Sequence, residues 1–290
     1  MILVASSNDY ANLMHNQANA LRSIGVDVID VTLSPHTFNY PSQSKVVTRE
    51  TFKTLSQEAD HVLIGHSCPT LFDLNKNPSF SVYHTGTRYR ESPEYFNDLF
   101  QSSKVHLTDQ TEFMKHGKMH YVVSGIDSSI YKPKELGKKL IVGHYPSNPE
   151  VKGTNEIVEM LKPFKENFDI RISLKQVSHA EQIERMQNAD IYVELFKPKL
   201  NGKDYGCFGV TALEACMMGK LVISQDLESE TYRDVYGEHL FINAKTPFMF
   251  KCVFQNPYWS ASMSKAIHEE TVKRHSFEAT GLRLKHLLKL

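Results

Sequence analysis

The sequence predicts an α/β protein made of two doubly wound domains in tandem. Short β-branched runs such as "MILVAS" alternate with amphipathic helical segments along most of the chain, which is typical of strand–helix–strand units with a parallel sheet. The alternation forms two series, separated by the polar, Pro- and Gly-containing stretch "SSIYKPKELGKK". A length of 290 residues is also natural for two domains of moderate size.

The first series, residues 1–134, begins with a predicted buried strand at "MILVAS". The next segment, "ANLMHNQANALRSIG", predicts an amphipathic helix that carries Leu13 and Leu21 on its apolar face and ends at Gly25. Further strands of this series are predicted at "VDVIDVTL", "HVLIGHS", "SFSVYHT", "KVHLTD" and "MHYVVSGID".

The second series, residues 135–265, repeats the alternation. Its predicted strands are "KLIVGHYPS", "FDIRISLKQ", "DIYVELF" and "KLVIS". Its predicted helices are "TNEIVEMLKPFKE", "HAEQIERMQNA" and the apolar segment that precedes the last strand. A mostly helical stretch, residues 266–290, ends the chain. Because doubly wound sheets bind ligands beyond the carboxyl ends of their strands, we expect the active site in a cleft between the two domains.

Composition indicates a soluble, cytoplasmic protein. Lys plus Arg and Asp plus Glu both number 33, so the net charge is zero, which argues against a surface that grips nucleic acid or anionic membrane as a whole. The four cysteines form no CxxC pair, which favours a reducing compartment over a metal or redox site. The N-terminus lacks a signal-peptide pattern, and no run approaches the ~18 apolar residues of a membrane helix, so we expect no integral membrane association.

Several common site motifs are missing from the sequence. No GxGxxG, GxSxG or HExxH occurs. The pair Gly219–Lys220 is followed by Leu221, where a P-loop needs Ser or Thr. We therefore expect no bound metal and no cofactor.

The loop "HYPSNPEVKGTNEI" is the first positive signal. It places Lys152 and Gly153 directly before a predicted helix, for which Thr154 would be a good N-cap. Unpaired N–H groups at a helix start, a flexible glycine and a full positive charge together suit a diphosphate. The alternative is an ordinary loop with a solvated lysine.

The second signal is the segment "GCFGVTALEACMMGKLVIS", which carries a single carboxylate, Glu214, in an apolar helix. This segment resembles the "FG…LEAMA.G.PVI" block of glycosyltransferase family 4, the retaining sugar-nucleotide enzymes with the GT-B fold. The stretches "PSNPEVKGTNEIVEML", "ADIYVEL", "YVVSGIDSSIYKP" and "YHTGTRYRE" are similar to other parts of the family, in the same order along the chain.

The resemblance implies a GT-B protein of two Rossmann-like domains with a cleft between them, and a closing helix that crosses back to the first domain. It implies a metal-independent, retaining hexosyl- or pentosyltransferase that uses a nucleotide-sugar, UDP- or GDP-linked, as its substrate. In the family, the glutamate matching Glu214 accepts hydrogen bonds from the ribose hydroxyls. We expect this carboxylate to be unpaired in an empty site. The donor-binding residues implied are His144, Ser147, Lys152, Gly153, Asp204, Gly209, Val210 and Glu214.

The sequence also departs from the family. The family block has two glutamates eight positions apart, and the position of the first is Gly206 here, with Asp204 close enough to substitute. His144 stands near the position of an arginine that pairs with the phosphates in many members.

Catalysis requires stabilisation of a departing nucleoside diphosphate and of an oxocarbenium-like sugar. We expect Lys152 to serve the first need. His84 follows a predicted strand, as the loop histidine of the family does, and we expect it to contact the donor sugar or the acceptor. A histidine satisfied by backbone at a strand end is the alternative. The expected acceptor-binding residues are Asp9, Asn12 and Arg88.

Two function classes remain open. The first is a glycosyltransferase whose acceptor is a glycan, a small molecule or a modified DNA base. The second is a non-catalytic protein that binds a nucleotide or sugar on the same fold, and the glycine at position 206 is its main support.

Overall fold

The chain divides into two compact units. One contains Met1–Asp127 together with His275–Leu290, and the other is Ser128–Arg274. The boundary predicted at residues 134 and 135 lies outside the described residues. The computed structural model describes residues 1–129, 131, 139–255 and 260–290, without the side chains at 203, 204 and 261.

The strands of the described residues are short and mostly buried. In the first unit they are β1 Ile2–Ser6, β2 Val28–Thr32, β3 Lys45–Val46, β4 His61–Gly65, β5 Phe80–His84, β6 His106–Thr108 and β7 His120–Tyr121. In the second unit they are β8 Ile141–His144, β9 Asp169–Ile172, β10 Ile191–Val193, β11 Lys199–Leu200, β12 Lys203–Asp204, β13 Leu221–Ser224 and β14 Ile242–Asn243.

Helices connect most of these strands. They are α1 Leu13–Ser23, α2 Arg49–Glu58, α3 Pro69–Leu74, α4 Gly86–Glu91, α5 Pro93–Leu99, α6 Pro149–Lys152, α7 Thr154–Leu161, α8 His179–Gln187, α9 Val210–Met217, α10 Ser229–Tyr236, α11 Pro247–Gln255, α12 Ala261–His275 and α13 Phe277–Leu288. Short 3₁₀ turns occupy Tyr10–Asn12, Thr111–His116 and Lys162–Phe164. Hydroxyl N-caps begin several of the described helices, among them those that follow Thr48, Ser178 and Ser276.

The first unit is built on a parallel sheet of seven strands in the order β3-β2-β1-β4-β5-β6-β7. All five residues of β1 are buried, and this strand pairs with both β2 and β4. Its uninterrupted apolar run is what a sheet covered by helices on both faces requires. The strand order reverses between β1 and β4, and doubly wound sheets bind ligands beyond the carboxyl ends at such a point.

The second unit contains a parallel sheet of five strands in the order β14-β13-β10-β8-β9. The order reverses between β8 and β10, so the carboxyl ends of these two strands are the corresponding ligand-binding position. A small antiparallel hairpin of β11 and β12 is separate from this sheet. Two parallel sheets with alternating helices confirm the predicted fold class.

The last helix, α13, packs against α1 in the first unit. Leu284 and Leu288 are buried in the same apolar cluster as Leu21. Gly281 lies so close to α1 that an added Cβ would meet the Ala20 carbonyl oxygen at 2.0 Å. Leu282, in the same helix, is 57% exposed. No helix among the described residues is both long and apolar enough to span a bilayer.

Candidate functional site

The candidate site lies in the second unit, beyond the carboxyl ends of β8, β10 and β13. Its centre is an ion pair between Lys152, the last residue of α6, and Glu194, directly after β10. The Glu194 side chain is only 1% exposed. Its Oε2 accepts a hydrogen bond from the Ser224 hydroxyl at 2.6 Å, and its Oε1 accepts a longer one from Thr211 at 3.4 Å.

Electrostatics keep Lys152 charged in this position. Burial lowers the pKa of Lys152, but the charge and hydrogen bond of Glu194 outweigh burial and raise the pKa above its usual value. A cation is thus present at the strand ends, and a buried carboxylate neutralises it. The ion pair also contributes to stability, because removal of one partner would leave the other partner's charge buried and uncompensated.

The start of α9 lies against this ion pair. A Cβ built on Gly209 would stand 3.1 Å from both Lys152 Nζ and Glu194 Oε1, so a larger residue would crowd the pair. Gly209 is the N-cap of α9 and provides no side-chain cap, and Val210 is the first helical residue. No side chain caps the first N–H groups of α9, and they lie beside a cation, as at anion sites on helix starts.

Glu214 lies one turn further along α9 and is buried. Its Oε1 accepts a hydrogen bond from the Tyr131 hydroxyl at 3.1 Å and another from His179 Nε2 at 2.7 Å. The expectation of an unpaired carboxylate is therefore wrong, since two side chains from outside the "FGVTALEACMM" block contact it. Tyr192 lies within electrostatic reach of both carboxylates: burial raises the pKa of its phenol, and the charges of Glu194 and Glu214 raise it further.

Gly153 has a packing reason for being glycine. Its φ is +70°, and an added Cβ would stand 2.0 Å from the Phe196 carbonyl oxygen. The sequence predicted that the backbone at Gly153 closely approaches a ligand. In the structure this backbone closely approaches the segment after β10. This contact holds Lys152 beside the end of β10, as does a backbone hydrogen bond from Phe196 N to Lys152 O of 3.2 Å. Ser147, in the loop after β8, is exposed, and its carbonyl accepts from Gln176.

His144 provides no positive charge to the site. Its Nδ1 donates to the Val193 carbonyl at 2.8 Å, and its Nε2 accepts from the Thr154 hydroxyl at 2.9 Å. Burial lowers the pKa of His144 to about 4, so the ring is neutral near pH 7. It joins the start of α7 to β10, and the N-cap of α7 is Gly153 and not Thr154.

The backbone at Gly206 disfavours any side chain at this position. Gly206 has a φ of +143°, where a side chain is strained, and an added Cβ would stand 2.8 Å from the Gln225 side chain. Gln225 is itself fixed, because it donates to the Tyr205 carbonyl and accepts from the Lys197 N–H. The local chain path therefore requires glycine at this position. The predicted substitute, the Asp204 side chain, lies outside the described residues.

The predicted acceptor residues lie in the first unit. Asp9 is buried, and its two carboxylate oxygens accept the backbone N–H groups of Met14 and His15 at the start of α1. Asn12 is buried in the left-handed region with a φ of 55°, and its amide donates to the Ser42 carbonyl. Arg88 is exposed on α4.

His84 does not fit the predicted catalytic position in this conformation. It is the last residue of β5 and fully buried. Its Nδ1 and Nε2 lie 2.8 Å from Ser67 Oγ and from His106 Nδ1. Burial, and secondarily His106, lowers the pKa of His84 to about 3. Both ring nitrogens are occupied inside the sheet, so His84 is not carried into the proposal below.

Sequence reasoning missed Glu194, Tyr131 and His179. Glu194 had a usable signal: it is a carboxylate directly after a buried apolar strand, at the edge where doubly wound sheets bind ligands. Tyr131 and His179 had no comparable signal, because only the fold brings them to Glu214. Among the described residues, no group of three or more His, Cys, Asp or Glu side chains is arranged to hold a metal ion.

No protein-family profile and no curated protein matches the chain by sequence, and the family 4 assignment therefore stays a prediction. Solved structures do match. An alpha-glucosyltransferase in complex with UDP and a 13-mer DNA containing a central A:G mismatch shares 13% identity, with 100% of this chain and 99% of that chain covered and a TM-score of 0.69.

WaaG, a glycosyltransferase involved in lipopolysaccharide biosynthesis, has 11% identity, 99% coverage of each chain and a TM-score of 0.61. AviGT4, a glycosyltransferase involved in Avilamycin A biosynthesis, has 9% identity, covers 100% of this chain and 97% of its own, and has a TM-score of 0.62. At such identities the likeness concerns the fold. The chain has the GT-B fold, with two Rossmann-like parallel sheets.

Proposed function

We propose that this protein is a glycosyltransferase that moves a hexose or pentose from a UDP- or GDP-linked donor to an acceptor hydroxyl. The observation that carries the proposal is the buried Lys152–Glu194 pair beside the start of α9, with Glu214 one turn further along. In this proposal Lys152 and the N–H groups at the start of α9 bind the two phosphates, and Glu214 binds the ribose. The glycosyltransferase neighbours of the same fold, one of them solved with UDP and DNA, support this interpretation.

In this proposal, donor binding replaces contacts that Lys152 and Glu214 make within the protein by contacts with the donor. The diphosphate accepts N–H groups at the start of α9 and draws the Lys152 ammonium away from Glu194. The ribose hydroxyls donate to Glu214 in place of, or beside, Tyr131 and His179. Glu194, released from Lys152, then accepts a hydroxyl of the donor sugar, which is the contact that the family assigns to the glutamate replaced here by Gly206.

Catalysis follows from the same groups. As the bond between the anomeric carbon and the phosphate oxygen breaks, negative charge develops on the leaving diphosphate. Lys152 and the α9 N–H groups stabilise that charge because they are already oriented in a buried site. We propose that these groups replace a metal ion and that no cofactor is required. Retention of the anomeric configuration is part of the proposal on the strength of the family resemblance.

The acceptor is a glycan, a small molecule or a modified DNA base. The neighbour solved with DNA favours a test of DNA, whereas the zero net charge gives DNA no particular support. The second candidate function is a binding protein that holds a nucleotide-sugar without transfer, and the glycine required at position 206 favours it.

Titration calorimetry with UDP, GDP and their sugars tests the site. Glu214→Ala should weaken binding of the preferred nucleotide by about 1.5–3 kcal/mol, because charge-assisted hydrogen bonds to the ribose are lost. Lys152→Ala should weaken nucleoside diphosphate binding and leave nucleoside binding unchanged, since its charge acts on the phosphates. Glu184→Ala, at an exposed glutamate of α8, is the matched control. Unchanged affinity in both site variants would remove the nucleotide from this site.

A further inference from the structure

A second cluster of chemically active side chains lies in the first unit, where α1 meets the loop that joins β2 to β3. It consists of His15 in α1, Asp30 in β2 and Ser42 in the loop. His15 Nδ1 lies 2.7 Å from Asp30 Oδ2, and His15 Nε2 lies 2.8 Å from Ser42 Oγ. A serine, a histidine and a carboxylate joined in this order form the arrangement by which enzymes activate a serine as a nucleophile. The donor site described above uses none of these residues.

Neighbouring side chains determine which nitrogen of His15 carries the proton. Asn19 Nδ2 lies 3.0 Å from His15 Nε2, and Asn19 Oδ1 accepts a hydrogen bond from Arg22 at 2.8 Å. Because a guanidinium can only donate, the Arg22 contact sets the orientation of the Asn19 amide, and its NH₂ group faces His15. An NH₂ group needs an acceptor, so Nε2 is unprotonated and Nδ1 carries the proton toward Asp30. In this tautomer Nε2 can act as a general base.

Asp30 is an ionised carboxylate beside His15. Both residues are buried, with 8% and 6% exposure. Burial alone would raise the pKa of Asp30, but hydrogen bonds from His15 and Arg22 outweigh burial and lower the pKa to about 2. A carboxylate in this position orients the imidazole and stabilises the imidazolium that forms when Nε2 takes a proton. Asp30 is thus placed to support a base at His15.

Ser42 is exposed, whereas His15 and Asp30 are buried. Its backbone is held in place, because the Asn12 amide donates a hydrogen bond to the Ser42 carbonyl at 2.8 Å. The Ser42 hydroxyl is therefore both fixed beside its base and reachable from solvent. A nucleophile and a base within hydrogen-bond distance, with the base oriented by a third group, are the structural requirements of covalent catalysis.

We propose that Ser42 is a nucleophile for acyl transfer from esters, with His15 as its general base and with Asp30 and Asn19 as positioning residues. Ser42 Oγ bonds to the carbonyl carbon of the ester while its proton passes to His15 Nε2. The bond from that carbon to the alcohol oxygen breaks, and the departing oxygen takes the proton from His15. Water then bonds to the acyl carbon and gives a proton to Nε2, the bond to Ser42 Oγ breaks, and Oγ recovers the proton from His15. This activity lies beyond the proposed glycosyl transfer and needs only the first unit.

The loop that carries Ser42 indicates the class of ester. Three half-buried rings precede the serine in this loop: His36, Phe38 and Tyr40. The His36 ring packs on the other two, with centroids 5.5 Å from Phe38 and 4.7 Å from Tyr40. Such a group of rings suits a substrate with an aromatic group. An aryl ester meets this description, and p-nitrophenyl acetate is the probe that we would use.

Ser42→Ala is the decisive variant, because an exposed serine can be replaced with little effect on folding. The full-length wild type should release p-nitrophenolate from p-nitrophenyl acetate and, after an acid quench, carry an acetyl group on Ser42 that peptide mass spectrometry locates. Ser42→Ala should reduce the release to the uncatalysed rate. His15→Gln should slow acetylation of Ser42 by about 10²–10⁴-fold, the usual contribution of a general base. Ser102→Ala, at an exposed serine in the turn after α5, is the control and should behave as the wild type.

The tautomer of His15 gives a readout that does not depend on activity. Nitrogen-15 spectra at mildly alkaline pH, assigned with His15→Gln, should show a protonated Nδ1 and an unprotonated Nε2. A proton on Nε2 would overturn the proposal, as would release of p-nitrophenolate that Ser42→Ala leaves unchanged. Release no faster than the uncatalysed rate in the wild type, or acetyl groups on lysines and none on Ser42, would overturn it as well.

Discussion

Replacement of Lys152 by methionine tests the structural side of the candidate site. The substitution keeps the length of the side chain and removes its charge, so Glu194 remains buried at 1% exposure without its cation. Loss of one partner of a buried ion pair costs about 3–5 kcal/mol. At roughly 2–4 °C per kcal/mol for domains of this size, the melting temperature of the affected transition should fall by about 6–20 °C.

Differential scanning calorimetry measures this change, and the double variant Lys152→Met/Glu194→Gln provides its control. The glutamine keeps a carbonyl that can accept from Ser224 and removes the buried charge, so the double variant should recover most of the lost stability. An unchanged melting temperature in Lys152→Met would refute the claim that Lys152 neutralises a buried charge on Glu194. A double variant as unstable as the single one would show that the loss comes from packing and not from an uncompensated charge.

Three further results are expected. Burial raises the pKa of Asp30, but hydrogen bonds from His15 and Arg22 outweigh it and lower the pKa to about 2. Asp30→Asn should therefore lower the free energy of unfolding in urea by about 2 kcal/mol at pH 7. This difference from the wild type should disappear as the pH falls from about 4 to 2. Gly206→Glu should lower the melting temperature without raising turnover, because its φ of +143° disfavours a side chain. Turnover should survive EDTA, and a strict requirement for a divalent ion would contradict the role of Lys152.

The strands of both sheets were predictable wherever burial on two faces imposes an apolar run. β1, β4 and β10 are of this kind, and each was found from its sequence alone. β3 was missed because both of its residues are exposed and therefore carry no apolar pattern. The nine-residue strand predicted at "MHYVVSGID" is reduced to His120–Tyr121. Beyond it, Val122 donates its N–H to the Thr108 carbonyl of β6, and Ile126 forms an isolated bridge with Ser276.

The candidate site was predictable only in part. Lys152 and Glu214 stood out because each places a charge at a helix end or in an apolar helix, where packing alone would not select it. Their partners depend on tertiary contacts: Glu194 and His179 lie 42 and 35 residues away along the chain. His84 was misleading for a physical reason, because a histidine at a strand end can turn into the sheet as well as out of it, and here it pairs with His106.

The most direct measurement of the central claim is release of nucleoside diphosphate from a panel of UDP- and GDP-sugars by the purified protein. The proposed glycosyltransferase should consume one donor, at least slowly with water as acceptor, and Lys152→Ala should abolish that release because the leaving diphosphate loses its cation. Tight binding of a nucleotide-sugar with no release from any donor would contradict the claim and would identify the protein as a binding module on the GT-B fold.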